Sequence, residues 1–254
     1  MESMIGTVPA DLLTGRTVMV VGGAGNVGTY AVSALLAGGA RVVVTSRSEE
    51  KLERMRSRLG TLAESGRLVP LVGSMSDEAE APRILESAQE RAGPLDAAIA
   101  SLGDTVFAPM VLEATGADLR RALDGYLIAH FMVARTLVPA LAERGGSYTF
   151  INGPLAFDPI YPGTGLVSIA TAGQAMLARL VMQEWASSPV RVNEVVLYTR
   201  FGPGAPEEVP PGHVGREDVG RYLAFLASDR ATDVRGRTIH LRRVEAVWEL
   251  AAAV

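Results

Sequence analysis

A chain of 254 residues with 48% hydrophobic side chains is long enough for one α/β domain with a large core, and its net charge of -4 argues against a surface that tracks nucleic acid. The absence of cysteine excludes disulfides and thiolate chemistry. No uninterrupted apolar run approaches the roughly 18 residues of a membrane helix. Residues 1–13 lack a basic region followed by an apolar core, so no signal peptide is expected and the cytoplasm is the default location.

After an irregular lead-in, Val18–Val21 is an apolar run too short for a buried helix and bounded by glycine, which predicts a buried strand. A glycine-rich turn follows, Gly22-Gly23-Ala24-Gly25-Asn26-Val27-Gly28, then a helix to Leu36 and a second strand at Val42–Val44. Ser48 caps a helix with Glu49 and Glu50 in its first turn, which stops at Gly60. Leu68–Val72 is a third strand. Asp77 is the expected cap of the next helix, where Ala81, Ile84, Leu85 and Ala88 form a buried stripe ending at Gly93-Pro94. Leu95–Ala100 is a fourth strand, Gly116–Leu141 one long helix, and Ser147–Ile151 a fifth strand. A helix over Ser168–Trp185, a strand over Val190–Leu197, a proline-rich loop over Phe201–Gly215, a helix over Glu217–Ala227 and a strand over Arg237–Leu241 complete the chain. Strand and helix alternate without repeat, linker or composition break. The pattern predicts a single α/β domain over residues 1–254, a doubly wound parallel sheet flanked by helices on both faces.

Gly23-x-Gly25-x-x-Gly28, with a strand before it and a helix after it, has the spacing and context that bring a backbone up to a pyrophosphate at a helix N-terminus. Gly22, Gly23, Gly25, Asn26, Val27 and Gly28 are therefore the candidate phosphate site. Asn26, inside this turn, is of a residue type that tolerates a positive φ better than most. The second strand ends in Ser46-Arg47 with no carboxylate until Glu49. A carboxylate would repel a ribose 2′-phosphate, whereas Ser46 and Arg47 donate to one, so NADP(H) is the expected cofactor.

The order of elements and several local signatures resemble the short-chain dehydrogenase/reductase family over nearly the whole chain. Val20-Val21-Gly22-Gly23-Ala24 is similar to the family's opening strand and turn, and Arg191-Val192-Asn193-Glu194-Val195 to its sixth strand. Phe225-Leu226-Ala227-Ser228-Asp229 with Gly236-Arg237-Thr238 is similar to its closing helix and strand. The resemblance implies a Rossmann-type fold, a nicotinamide cofactor, and hydride transfer to or from a carbonyl or alcohol carbon. It also implies a homodimer or homotetramer built through the helices near Gly116 and Ser168. Ser74 stands at the family's adenine-ring position, and Gly103 is the residue kept from its signature after the fourth strand.

The family's acid–base residues are replaced. Its serine falls on Gly153, its tyrosine on Val167, its lysine on Thr171 and its helix asparagine on Tyr126; no Tyr-x-x-x-Lys occurs anywhere in the chain. Tyr126, Asn152 and Tyr161 are the candidates to substitute, with Asp104 and Tyr198 also expected near the pocket mouth, and His130 one helical turn from Tyr126 as a possible relay partner. No metal site is suggested by His213 or His240. Three readings stay open: an NADP(H)-dependent oxidoreductase of a small carbonyl or alcohol with rearranged acid–base residues; a redox-neutral cyclase, isomerase or dehydratase using the old pocket; or a non-catalytic subunit pairing with an active homologue.

Overall fold

The computed structural model describes residues 8–103, 110–159, 161–201 and 213–242. Seven strands, β1 (Thr17–Val21), β2 (Arg41–Ser46), β3 (Leu68–Val72), β4 (Ala97–Ala100), β5 (Ser147–Asn152), β6 (Arg191–Leu197) and β7 (Thr238–Leu241), form one sheet in the order β3-β2-β1-β4-β5-β6-β7. Every neighbouring pair is parallel. The helices are α1 (Gly28–Ala37), α2 (Glu49–Leu59), α3 (Ala81–Ala92), α4 (Gly116–Leu123), α5 (Ala129–Ala142), α6 (Gly165–Glu184) and α7 (Arg216–Ala227).

Alternation along the strands builds a core on each face. Val18, Val20, Val42, Val44, Ala97 and Ile99 pack with α1, α2 and α7. Met19, Val21, Val43, Ala98, Tyr148 and Phe150 pack with α3, α5 and α6. With both faces covered the strands read as continuous apolar runs, which is why they were legible as buried parallel strands. Pro70 sits in β3, an edge strand, where its missing N–H costs the ladder least.

The Arg191–Asn193 signature is structural. The buried Arg191 guanidinium donates to the carbonyls of Leu226, Ser228 and Ala231, which end α7 and the short turn after it. Asn193 donates to Val234 O at 2.8 Å and accepts from Arg237 N at 3.1 Å. Together they tie β6 to the closing segment.

Two expectations need correction. Asp77 does not cap α3: its Oδ1 accepts from Ala79 N and Glu80 N in a turn, and the helix starts at Ala81 behind Glu80. The long helix from Gly116 is not uniform, because Asp124–Ile128 is a π-helical turn between α4 and α5. Among the described residues every positive φ belongs to glycine, so the tolerance of Asn26 for that region is not used. Gly116–Ala142 and Gly165–Glu184 have the length and the mean hydropathy, 1.4 in each, of a membrane span, although residues such as His130, Arg135 and Thr136 interrupt the first of them. Both pack on the sheet. Most of the proline-rich loop, residues 202–212, and Asp104 lie outside the described residues.

Candidate active site

The strand order reverses between β1 and β4, and the crevice at their carboxyl ends is where ligands bind in such sheets. Two adjoining cavities, of about 640 and 590 Å³, occupy it and share Ala24, Gly25, Lys51, Ser101, Leu102 and Gly103 as walls.

The turn after β1 is fixed by close backbone approach. Gly22 has φ +79°, and a Cβ there would lie 2.1 Å from Ser101 O, so only glycine fits on both counts. A Cβ on Gly28 would stand 2.4 Å from Gly22 O, which sets how closely α1 docks on the turn. Thr29 Oγ1 donates to Gly25 O at 2.8 Å and holds the turn against the first helical residues. α1 starts at Gly28 with no side-chain cap and no acidic residue in its first turn. Thr29 N, Tyr30 N and Ala31 N donate to Gly25 O and Val27 O, so what the helix start offers an anion is its positive dipole end. Gly25, Asn26 and Val27 line the larger cavity, and Gly22 and Gly25 the smaller.

The smaller cavity holds the end of β2 and its surroundings. Ser46, Arg47, Ser48 and Lys51 line it with Gly73, Ser74, Arg120 and Arg121. Ser46 Oγ accepts from Ser48 N and donates to Ser48 O, each at 3.2 Å, and Ser48 Oγ accepts from Lys51 N at 3.2 Å, so both serines order the start of α2. Arg47 is exposed, beside this ordered turn. Gly103, Ser74 and the glycine turn thus border one continuous crevice.

The other half of the crevice holds the positions onto which the family resemblance places the acid–base residues. Gly153, Val167 and Thr171 all line the larger cavity, as do Tyr126 and Asn152. Nothing lies within 4 Å of where a Gly153 Cβ would be. Thr171 Oγ1 donates to Val167 O at 2.7 Å, so its hydroxyl proton is spent on its own helix. Tyr126, in the π-helical turn, lies against Gly103: a Cβ there would be 2.6 Å from its ring and 3.2 Å from its hydroxyl.

Asn152 is committed at every polar atom. Its Nδ2 donates to Glu194 Oε1 at 2.9 Å and to Thr171 O at 3.2 Å, and its Oδ1 accepts from Gly153 N at 2.8 Å. Glu194, wholly buried on β6, also accepts from Thr238 Oγ1 at 3.1 Å. Burial pushes the Glu194 carboxyl above the usual range, and the hydrogen bonds from Asn152 and Thr238 partly offset this. Asn152 is therefore the bridge between a buried carboxyl and α6. Tyr161 is 54% exposed and lines neither cavity.

Tyr198 also stays out of the crevice, while its neighbours Leu197 and Thr199 line it. Its hydroxyl accepts from Arg242 at 2.8 Å and donates to His240 Nδ1 at 3.0 Å, tying the ends of β6 and β7. His130 is fully buried with its ring beside Phe150 and Nε2 3.4 Å from Leu102 O. Burial holds its pKa down to about 4. Its Nδ1 has no hydrogen-bond partner, so the ring forms no relay with Tyr126 and is a core residue beneath the crevice. Sequence reasoning passed over Lys51, which lines both cavities, and Gln174, a polar residue on the sheet-facing stripe of α6. The second carried a signal, a polar side chain where the helical period demands an apolar one.

The sheet order, the glycine turn and the crevice define a nucleotide-binding Rossmann architecture. Residues 16–199 match the short chain dehydrogenase family, and the chain belongs to it. It is 25% identical to a 3-oxoacyl-acyl-carrier-protein reductase of Rickettsia conorii, over 90% of this chain and 96% of that one. It is 27% identical to a tropinone reductase homologue of Arabidopsis thaliana, over 89% and 90%. A probable oxidoreductase of Streptomyces antibioticus is 31% identical over 71% of this chain and 63% of its own. Among solved structures, a short chain dehydrogenase from Mycobacterium smegmatis superposes with a TM-score of 0.79 at 24% identity, covering 92% and 94% of the two chains. That likeness covers more of the chain than the family match does.

Proposed function

We propose that this chain is an NADP(H)-binding member of the oxidoreductase family that takes a small carbonyl or alcohol in the crevice, with Tyr126 as the side chain left to exchange a proton with it. The observation that carries the cofactor is the glycine cradle. Gly22 and Gly28 leave no room for a Cβ, and α1 opens uncapped beside them. Those features fit a pyrophosphate. Arg47 and Lys51 around the smaller cavity fit a 2′-phosphate, and Ser46, Ser74 and Gly103 border the same groove. When bound, the nicotinamide group supplies or accepts a hydride. The residues of this chain orient the reactants and move the proton. Of the three substitute candidates, Tyr126 alone brings an ionisable hydroxyl to the cavity wall, since Asn152 is fully bonded and Tyr161 lies outside it.

Calorimetric titration tests the cofactor. NADPH is expected to bind at least tenfold more tightly than NADH, and Arg47→Ala to remove most of that preference, consistent with one charge-assisted contact of about 1.5–3 kcal/mol. Equal affinities in the parent chain would refute the NADP(H) assignment. NADPH consumption with a panel of small ketones, reduced in Tyr126→Phe, tests the reaction.

A second reading rests on the replaced quartet of Gly153, Val167, Thr171 and Tyr126. Val167 gives no proton and the Thr171 hydroxyl is engaged by Val167 O, so redox-neutral chemistry, or service as a non-catalytic subunit beside an active homologue, also fits the pocket. Product formed without NADPH consumption would favour the former.

Ile128, Phe131, Ile169, Met176 and Leu180 are 45–52% exposed on the outward faces of the π turn, α5 and α6. We assign these faces to pairing between subunits, as a homodimer or homotetramer. Light scattering is expected to give two or four chain masses, and Phe131→Glu with Leu180→Glu to shift the mass toward one.

A further inference from the structure

The larger cavity changes chemistry from one end to the other. At the end over β5 and β6, Ile151, Leu155, Val167, Leu197 and Phe201 line it. The polar neighbours there have committed their donors: Asn152 to Glu194 and Thr171 O, Thr171 to Val167 O, and Thr199 Oγ1 to Val214 O at 2.7 Å. At the opposite end Lys51, Arg54 and Arg58 line it from α2. The glycine turn stands between the two ends, as β1 stands between β2 and β5 in the sheet.

The charges at that second end are of one sign. Among the described residues, no aspartate or glutamate lines the larger cavity, although the whole chain carries a net charge of -4. Lys51, Arg54 and Arg58 recur at i, i+3 and i+7, on one face of α2 with Met55, which is 1% exposed and seated in the core. The acids of the same helix, Glu49, Glu50 and Glu53, do not line the cavity. Arg54 reaches back to Glu50 at 3.5 Å, an exposed pair of the kind that contributes little. Among the described residues Lys51 and Arg58 form no ion pair. A face kept only for solubility mixes its signs; this concave wall collects one. Arg54 and Arg58 line the larger cavity alone, so a 2′-phosphate in the smaller one does not account for them.

We infer that the larger cavity recognises an amphipathic organic anion, its apolar body seated over β5 and β6 and its anionic head held by Arg54 and Arg58. The inference rests on the reading that this cavity takes a small molecule, and it narrows that molecule to one carrying a negative charge. A cleft lined by one sign of charge concentrates the opposite sign. Guanidinium forks then hold the head through charge-assisted hydrogen bonds, while the far end offers the body apolar contact.

Decanoate, decan-1-ol and decylammonium share a chain and differ in the charge of the head. Burial of the chain alone favours the alcohol, because a charged head is costlier to take from water. In calorimetric titrations of the chain, decanoate is instead expected to bind at one site about tenfold more tightly than decanol, with decylammonium weakest of the three. The double change Arg54→Gln with Arg58→Gln is expected to remove that preference while NADPH affinity moves by less than about threefold. Salt gives a second readout on the unaltered chain, standing even if the variant does not fold: added sodium chloride is expected to weaken decanoate severalfold and not decanol. Equal affinities, tighter binding of the alcohol, a decanoate affinity indifferent to salt or to the double change, or no binding of any of the three would each overturn the inference. So would an NADPH affinity that falls in step with that of decanoate, which would give both arginines to the cofactor. A lost head-group preference with intact NADPH binding sinks this inference alone. A failed NADPH titration with the preference intact sinks only the NADP(H) assignment.

Discussion

Changing Gly153→Ser, Val167→Tyr and Thr171→Lys together is expected to raise NADPH-dependent reduction of a simple ketone by about 10²-fold or more over the parent chain, the low end of what a placed acid–base group contributes. The geometry permits each change. The Gly153 Cβ position opens onto free space, and Val167 and Thr171 lie one turn apart on α6 with both lining the same cavity. A lysine at 171 no longer donates to Val167 O as Thr171 does, so its ammonium is free to depress the new phenol's pKa. The obstacle is Tyr126, whose ring already lies against Gly103. Overpacking typically costs about 1–3 kcal/mol, so a fourth change, Tyr126→Asn, is expected to raise the gain further. NADPH consumption under saturating ketone is the measurement. No gain in a folded, NADPH-binding variant would show that the shape of the pocket, and not only its proton chemistry, has moved away from ketone reduction.

Acid is expected to unfold the parent chain earlier than His130→Leu. The folded-state pKa of His130 is held at about 4 against 6.5 when free, because the ring is wholly buried. Its folded value is thus depressed, and between those two values the unfolded chain binds a proton that the native state refuses. Stability associated with this residue is present above pH 6.5 and is lost as the pH falls toward 4, by roughly 3 kcal/mol at most. Leucine at 130 has no such titration. Near neutral pH the variant is expected within about 1 kcal/mol of the parent, since the histidine makes only a 3.4 Å contact to Leu102 O and leaves Nδ1 unpaired. Urea midpoints across pH 7 to 4 test this. Parallel acid limbs for the two proteins would place the sensitivity elsewhere, with Glu194 outside suspicion. Its raised pKa gives stability the opposite slope, falling as pH rises above the ordinary carboxylate range.

The architecture was readable because local and global signals agree here. Buried parallel strands appear as β-branched runs, α2 carries its cap at Ser48 and its stop at Gly60, and the glycine turn sits between its strand and its helix. The absence of any Tyr-x-x-x-Lys is a property of the sequence itself. What stayed hidden depends on partners distant in sequence. Asn152 looked like a free amide until Glu194, 42 residues on, was found to hold it. Tyr161 looked close to the pocket because it is close along the chain, and its side chain faces out. The π turn gives no composition signal, yet it sets where the Tyr126 ring lies. Whether Gln174 is satisfied could be decided only by knowing which carbonyl faces it.

The buried Arg191 has a consequence for where this polypeptide may be cut. Its guanidinium finds its acceptors at Leu226, Ser228 and Ala231, all beyond residue 199, where the family match ends. A fragment trimmed to the matched stretch would keep the cation and lose its carbonyls. It would also strip β6 of β7 and uncover the face of α1 on which α7 rests. Stranding a buried charge costs about 3–5 kcal/mol, a large share of a typical domain's whole margin. The stretch that the family match spans is thus shorter than the portion able to stand as a folded body, and the boundary for any expression or fusion work lies past β7.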